Sequence, residues 1–274
     1  MSAPDVLVVG AGSLGLGLAV EAARRGTVAC RARSGFLARA TLDDVSAELV
    51  PPRGRPHLAV VTVKAHDLDA ALATARGAEH VVVIANGLPT TRAPVAHVAA
   101  IAWACATRLG RDTTTWRGSL RLLVPDGPEA EALARAFRGT GRVEVTVATE
   151  TEVAASRLEK LAVSAGLNAL SALHRIPPGR IAEDAALFGR AREVAEEIAG
   201  LAAARGAPTA DVPELLRRAA AAMGDFEPSM LQDARRGASL EVDAVLAAPL
   251  RELAARDLPR RALAALLSDL SNAG

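Results

Sequence analysis

Along the first half of the chain, short unbroken apolar runs alternate with segments whose apolar residues recur at helical spacing. Val6–Val9, Thr27–Ala32, Leu58–Val63 and Val81–Ala85 lack polar alternation, as strands covered on both faces of a parallel sheet should. Between the first two, Ser13–Arg25 puts Leu14, Leu18 and Ala22 on one helical face, with Glu21, Arg24 and Arg25 largely off it. Gly26 stands where a glycine would end that helix. Val98–Ala102, Leu120–Val124 and Val143–Val147 extend the sheet, separated by turn-rich segments such as Pro125-Asp126-Gly127-Pro128. The alternation predicts a Rossmann-type, doubly wound α/β domain over residues 1–149. Past Thr149 the β-like runs stop. Alanine- and leucine-rich segments follow, broken at Pro177-Pro178-Gly179, Gly206-Ala207-Pro208 and Gly224-Asp225, and predict an all-α domain over 150–274.

Composition narrows the classes. A length of 274 residues suits two domains of ordinary size. The 32 basic residues balance 31 acidic ones, so no basic surplus points to nucleic acid and no acidic block to a disordered tail. No apolar stretch reaches membrane-helix length, and Met1–Asp5 has no basic leader, so a cytoplasmic protein is expected. Cys30 and Cys105 are too few for a disulfide framework, and His57, His66, His80, His97 and His174 show no ligand spacing, so no metal is expected. The basic set contains only two lysines, Lys64 and Lys160, and asparagine occurs only at 86, 168 and 272. In so arginine-rich a chain, a lysine marks a place where guanidinium will not serve.

The run Gly10-Ala11-Gly12-Ser13-Leu14-Gly15 is G-x-G-x-x-G directly after a strand and at the opening of a helix. Gly10 permits the tight turn, Gly12 leaves room for a pyrophosphate, and Gly15 lets helix approach strand, while the helix N-terminus attracts the phosphates. A reader of the ribose 2′-hydroxyl would place an acidic residue about 20 positions on. None occurs between Glu21 and Asp43, whereas Arg31 and Arg33 sit at the end of the second strand. Guanidinium matches a phosphate, so NADP(H) is expected over NAD(H), with Arg33 the preferred contact.

In the second half, Lys160, Ser164 and Asn168 fall at successive four-residue steps on one helical face, a polar stripe flanked by Leu161, Val163 and Leu167. Ser229-Met-Leu-Gln-Asp233 and Glu241-Val-Asp243 follow. Together with the glycine fingerprint, Val63-Lys64-Ala65, Asn86-Gly87 and Lys160-Leu161-Ala162-Val163, these blocks resemble the ketopantoate reductase family (2-dehydropantoate 2-reductases) over nearly the whole length. The resemblance implies NADP(H)-dependent reduction of the ketone of a small 2-oxo acid in the pantothenate pathway, by a monomer or homodimer. It places the catalytic lysine on Lys160 and the active-site glutamate on Glu241. Asn86, Ser164, Asn168 and Ser229 fall at substrate-side positions, and Lys64 and Asn86 at cofactor-side ones. A reduction of this kind needs a proton donor at the developing alkoxide, and buried lysine can supply what arginine cannot.

The chain departs from the family where Ser164 replaces the usual asparagine one turn after the lysine, and where Leu246-Ala247 replaces an Asn-Gly after the Glu-x-Asp block. Ala99–Arg108 also lacks the usual Gly/Thr-rich character. A reductase for another 2-oxo acid, and an NADP(H) sensor without turnover, stay open as alternatives.

Overall fold

A computed structural model describes residues 4–207 and 210–273, so Met1–Ala3 and Pro208 of the second helical break lie outside the described residues. The chain divides into two compact units, Met1–Ala85 with Thr91–Val153, and Asn86–Thr90 with Ala154–Gly274.

The first unit runs β1 (Val6–Val9), α1 (Ser13–Ala23), β2 (Val28–Ala32), β3 (Gly35–Leu37), β4 (Arg39–Leu42), β5 (Val45–Glu48) and β6 (Leu58–Val61). A 3-10 turn (Ala65–Asp67) then leads into α2 (Leu68–Ala75), β7 (His80–Ile84), β8 (Val98–Arg108), β9 (Thr113–Pro125), α3 (Pro128–Phe137) and β10 (Val143–Ala148). Its described residues form a 10-stranded sheet in the order β3-β2-β1-β6-β7-β8-β9-β4-β5, with β10 beside β9. β2, β1, β6, β7 and β8 run parallel, while β8 and β9 pair antiparallel. The parallel strands read as unbroken apolar runs because alternate residues enter two different cores. Val6, Val8, Val60 and Val82 pack with Leu16 and Leu18 of α1 and Leu133 of α3. Leu7, Val9, Val61 and Val83 pack instead with Leu68 and Leu72 of α2.

Three strands, β3, β4 and β5, have no counterpart in the hydrophobic pattern. They are short and mixed in composition, and backbone pairing creates them: β3 pairs with β2, β4 with β9, and β5 with β4. Two details of α1 also differ from the sequence expectation. Glu21 is buried and accepts a hydrogen bond from Arg24 Nε at 3.2 Å, rather than lying off the packed face. Gly26 has no left-handed backbone; it is glycine because a Cβ there would stand 2.6 Å from the Asp5 carboxylate, which accepts from Thr27 N and Oγ1.

The second unit is helical. α4 (Glu150–Val163) continues through a π turn (Ser164–Asn168) into α5 (Ala169–His174), then α6 (Pro178–Glu183), α7 (Ala185–Ala204), α8 (Val212–Met223) and α9 (Ser229–Arg235). A second π turn (Asp243–Ala247) leads into α10 (Ala248–Ala255) and α11 (Arg261–Asn272). Val194, Ile198 and Leu201 of α7 lie in its core with Leu161, Leu167, Leu253 and Leu266. The breaks follow local chemistry: Pro178 opens α6 at its first turn, Asp184 caps α7 by accepting from Ala186 N and Leu187 N, and Gly224 ends α8 at φ +53°. No helix among the described residues is long and apolar enough to cross a membrane.

Candidate active site

Strand β1 delivers the chain into the glycine loop, which neighbouring strands hold by its backbone. Gly10 N donates to Arg31 O at 2.9 Å, and Thr62 Oγ1 donates to Gly10 O at 2.9 Å. Ser13 O accepts from Thr114 Oγ1 at 2.9 Å and from Trp116 Nε1 at 3.0 Å. The three glycines have three different reasons. Gly10 takes φ +113°, and a Cβ there would meet Thr62 O at 2.7 Å. A Cβ on Gly15 would lie 1.8 Å from Gly10 O, which is the close helix–strand approach. Gly12 has nothing within 4 Å of its Cβ position, and no side chain caps the first turn of α1. Open space beside uncapped N–H groups at a helix N-terminus is what a pyrophosphate requires. Ala11, Ser13 and Leu14 complete the loop. Sequence reasoning missed Thr62, Thr114 and Trp116, which anchor it from strands distant in the chain.

Arg31 closes β2 with its guanidinium 4.9 Å over the Phe36 ring. Arg33, exposed just beyond, pairs with Asp67 and approaches His66 Nε2 at 3.3 Å. Lys64 is half-buried at the start of the 3-10 turn, where its carbonyl accepts from Asp67 N at 2.9 Å.

In the second unit, Lys160, Asn86 and Glu241 are brought together from three separate segments. Lys160 Nζ donates to Asn86 Oδ1 at 3.0 Å, and Asn86 Nδ2 donates to Glu241 Oε2 at 3.0 Å. The amide thus stands between a cation and a carboxylate with each end matched to its neighbour's charge. Backbone docking sets its place. Leu88 N donates to Ala244 O at 2.9 Å, and Gly87, at φ +69°, comes so close to that carbonyl that a Cβ would lie 2.2 Å from it. Ala244 belongs to the π turn that follows Glu241 by two residues, and the other π turn follows Lys160 by four. A π turn shifts the helical hydrogen-bond ladder by a residue and re-aims the side chains around it.

Burial dominates the electrostatics. The Lys160 ammonium is pushed down to about 8, chiefly by burial and then by the Arg157 guanidinium, with Glu241 pulling the other way. Burial likewise lowers Arg157. Glu241 is itself buried, at 8% exposure, so cation, amide and carboxylate share a weakly solvated setting. Arg157, one turn before Lys160, carried no signal in the sequence because it is one arginine among many.

The other expected residues separate into two groups. Ser164 is buried, and Asn168 Nδ2 lies 3.5 Å from its Oγ, while Asn168 Oδ1 is buried with no hydrogen-bond partner among the described residues. The regular α-helical stripe expected through these positions is corrected here: Ser164–Asn168 is the π turn, which spreads them over a wider turn. Ser229 stands exposed in the first turn of α9, outside the hydrogen-bonded chain of Lys160, Asn86 and Glu241.

Comparison with known proteins places these features. Residues 152–270 match the ketopantoate reductase PanE/ApbA C-terminal family. A 2-dehydropantoate 2-reductase from Geobacter metallireducens GS-15 superposes with a TM-score of 0.85 at 24% identity, covering 98% of this chain and 99% of that one. A PanE/ApbA family ketopantoate reductase from Ralstonia eutropha JMP134 gives 0.81 at 23% identity, covering 98% of each chain. A D-mandelate dehydrogenase solved with NADH and anilino(oxo)acetate gives 0.82 at 17% identity, also covering 98% of each. A search of curated proteins by sequence gave no match. Residues 152–270 therefore match the C-terminal family of ketopantoate reductases, and the chain shares the fold of these solved reductases over 98% of its length.

Proposed function

We propose that this protein reduces the ketone of a small 2-oxo acid with NADPH, ketopantoate being the first candidate. A reduced nicotinamide dinucleotide, when bound, supplies the hydride. The loop Gly10–Gly15 holds its pyrophosphate through the N–H groups of α1, with Lys64 at the cofactor side. Arg31 and Arg33 receive the 2′-phosphate, Arg33 exchanging its Asp67 partner for it. Lys160 donates a proton to the carbonyl oxygen as charge develops there, and Asn86 holds the ammonium in line. Glu241 fixes the Asn86 amide and keeps positive charge favoured on Lys160. Ser164 and Asn168 contact substrate, the buried Asn168 Oδ1 accepting from a hydroxyl. Ser229 contributes at the rim.

The observation that carries this reading is the Lys160–Asn86–Glu241 chain, with a lysine brought near neutral pH by burial. An acid whose pKa lies near the working pH is the best proton donor. Serine at 164, in place of the family's asparagine, and the likeness to an enzyme named for mandelate support a second reading, in which a different 2-oxo acid is preferred. NADPH oxidation with ketopantoate and a panel of 2-oxo acids decides between them. Lys160→Ala should lower kcat about 10²–10⁴-fold with little change in NADPH affinity. Undiminished turnover in that variant removes the assigned acid, and tight NADPH binding without turnover on any oxo acid makes the protein a sensor instead.

A further inference from the structure

Sequence spacing announces no metal site, because the relevant residues are joined by strand pairing rather than by a motif. β6 and β7 run parallel with Leu58 opposite His80, so the residues just before β6 meet the start of β7. His80 N donates to His57 O at 3.0 Å, and Glu79 N donates to Pro56 O at 3.0 Å. The two imidazoles consequently lie edge to face, their centroids 5.1 Å apart. Between them stands Glu79, one carboxylate oxygen 3.0 Å from His57 Nδ1 and the other 3.8 Å from His80 Nε2. One ligand atom from each of His57, Glu79 and His80 lies within 4.8 Å of the other two.

The surroundings of His80 match what a metal-binding histidine needs. With Nε2 of His80 turned to Glu79, its Nδ1 faces Glu129 Oε1 at 3.5 Å from the first turn of α3. A carboxylate on the far nitrogen fixes the ring and raises its basicity as a ligand. His57 Nε2 is buried and has no hydrogen-bond partner among the described residues, so that ring holds polar capacity no protein group uses. Around a tetrahedral ion bound at roughly 2.0–2.1 Å, ligand atoms stand about 3.4 Å apart.

We propose that His57, Glu79 and His80, with Glu129 orienting His80, form a structural site for a zinc-like divalent cation at the start of β6 and β7. Two imidazoles and one carboxylate suit zinc and its transition-metal neighbours, whereas magnesium and calcium prefer all-oxygen sets. The site lies at the N-terminal ends of the parallel strands, and the glycine loop leaves the C-terminal end of β1, so the ion takes no part in hydride transfer. Its effect is to tie β6, β7 and α3 together. A fourth ligand is left to water.

The test uses untagged full-length protein. Co2+ titration should give the visible absorption of a four-coordinate ion at one equivalent, displaced by Zn2+, and Zn2+ should raise the thermal midpoint where Mg2+ does not. His57→Ala combined with His80→Ala should abolish both signals. Glu129→Gln should weaken binding about 10–100-fold while leaving the three ligands in place. NADPH-dependent turnover should be unchanged by the metal and by Glu129→Gln. Absence of the cobalt band in the native protein overturns the proposal. So does binding that survives the double variant, or an equal response to Mg2+. If the double variant fails to fold, as read by circular dichroism, the Glu129→Gln titration decides: unaltered cobalt affinity refutes the site.

Discussion

In the proposed reaction Lys160 holds a proton at neutral pH and releases it during turnover, and its surroundings divide that task. Burial and Arg157 lower its pKa to about 8, while Glu241 resists the shift. Turnover that depends on the ammonium should therefore fall as the pH rises through about 8. Arg157→Gln removes a repelling charge, so the alkaline limb of kcat/KM should move to higher pH. Glu241→Gln removes an attracting one and should move the limb lower, besides slowing the reaction. Shifts in the same direction for both variants would contradict the charge assignment. The depressed value also has a stability consequence. The unfolded lysine binds its proton up to its ordinary value near 10.5, so between about 8 and 10.5 the unfolded chain carries more protons than the folded one. Stability on this account rises with pH across that window, and below it the buried ammonium is a net cost. Lys160→Met should raise the thermal midpoint while abolishing turnover.

At the scale of elements, the informative feature is the pair of π turns, one after Lys160 and one after Glu241. The second receives the strand-end segment Asn86-Gly87-Leu88 through the Ala244 carbonyl, which is how an asparagine distant in sequence reaches the lysine. Gly87→Ala demands both a left-handed backbone from alanine and space that Ala244 O already fills. It should cost at least about 2 kcal/mol of stability and lower kcat by displacing Asn86, as seen by denaturant titration and steady-state kinetics. Gly12→Ala is the contrasting case. Its Cβ would meet nothing in the protein, so stability should hold; affinity for the dinucleotide should drop, because the proposed site brings the phosphates against that methyl.

For the whole molecule, the proposed function assigns cofactor choice and substrate choice to separate units. In the first, Arg33 is paired with Asp67, so the proposed 2′-phosphate contact would compete with a carboxylate. Asp67→Ala should tighten NADPH several-fold with little effect on NADH. Arg31→Ala with Arg33→Ala should weaken NADPH at least about tenfold, measured by fluorescence titration with each cofactor. NADPH should raise the thermal midpoint in proportion to its concentration over Kd, and more than NADH at equal concentration.

The residues alone determined the α/β-then-α order and the parallel runs, and they supplied the proposed roles of the Gly10–Gly15 loop and of Lys160, Asn86 and Glu241. These rest on local rules: unbroken apolar runs, glycines at fixed offsets after a strand, and residue types too scarce in this chain to be background. Tertiary structure decided the rest. Strand β4 is fixed by pairing with the distant β9, and Gly26 answers to Asp5 rather than to helix termination. The π turns, the anchoring of the loop by Thr62, Thr114 and Trp116, and the meeting of His57 with His80 have the same origin. Each depends on groups far apart in the chain, whose proximity is set by burying two sheet faces and a helical core. No local spacing records that distance.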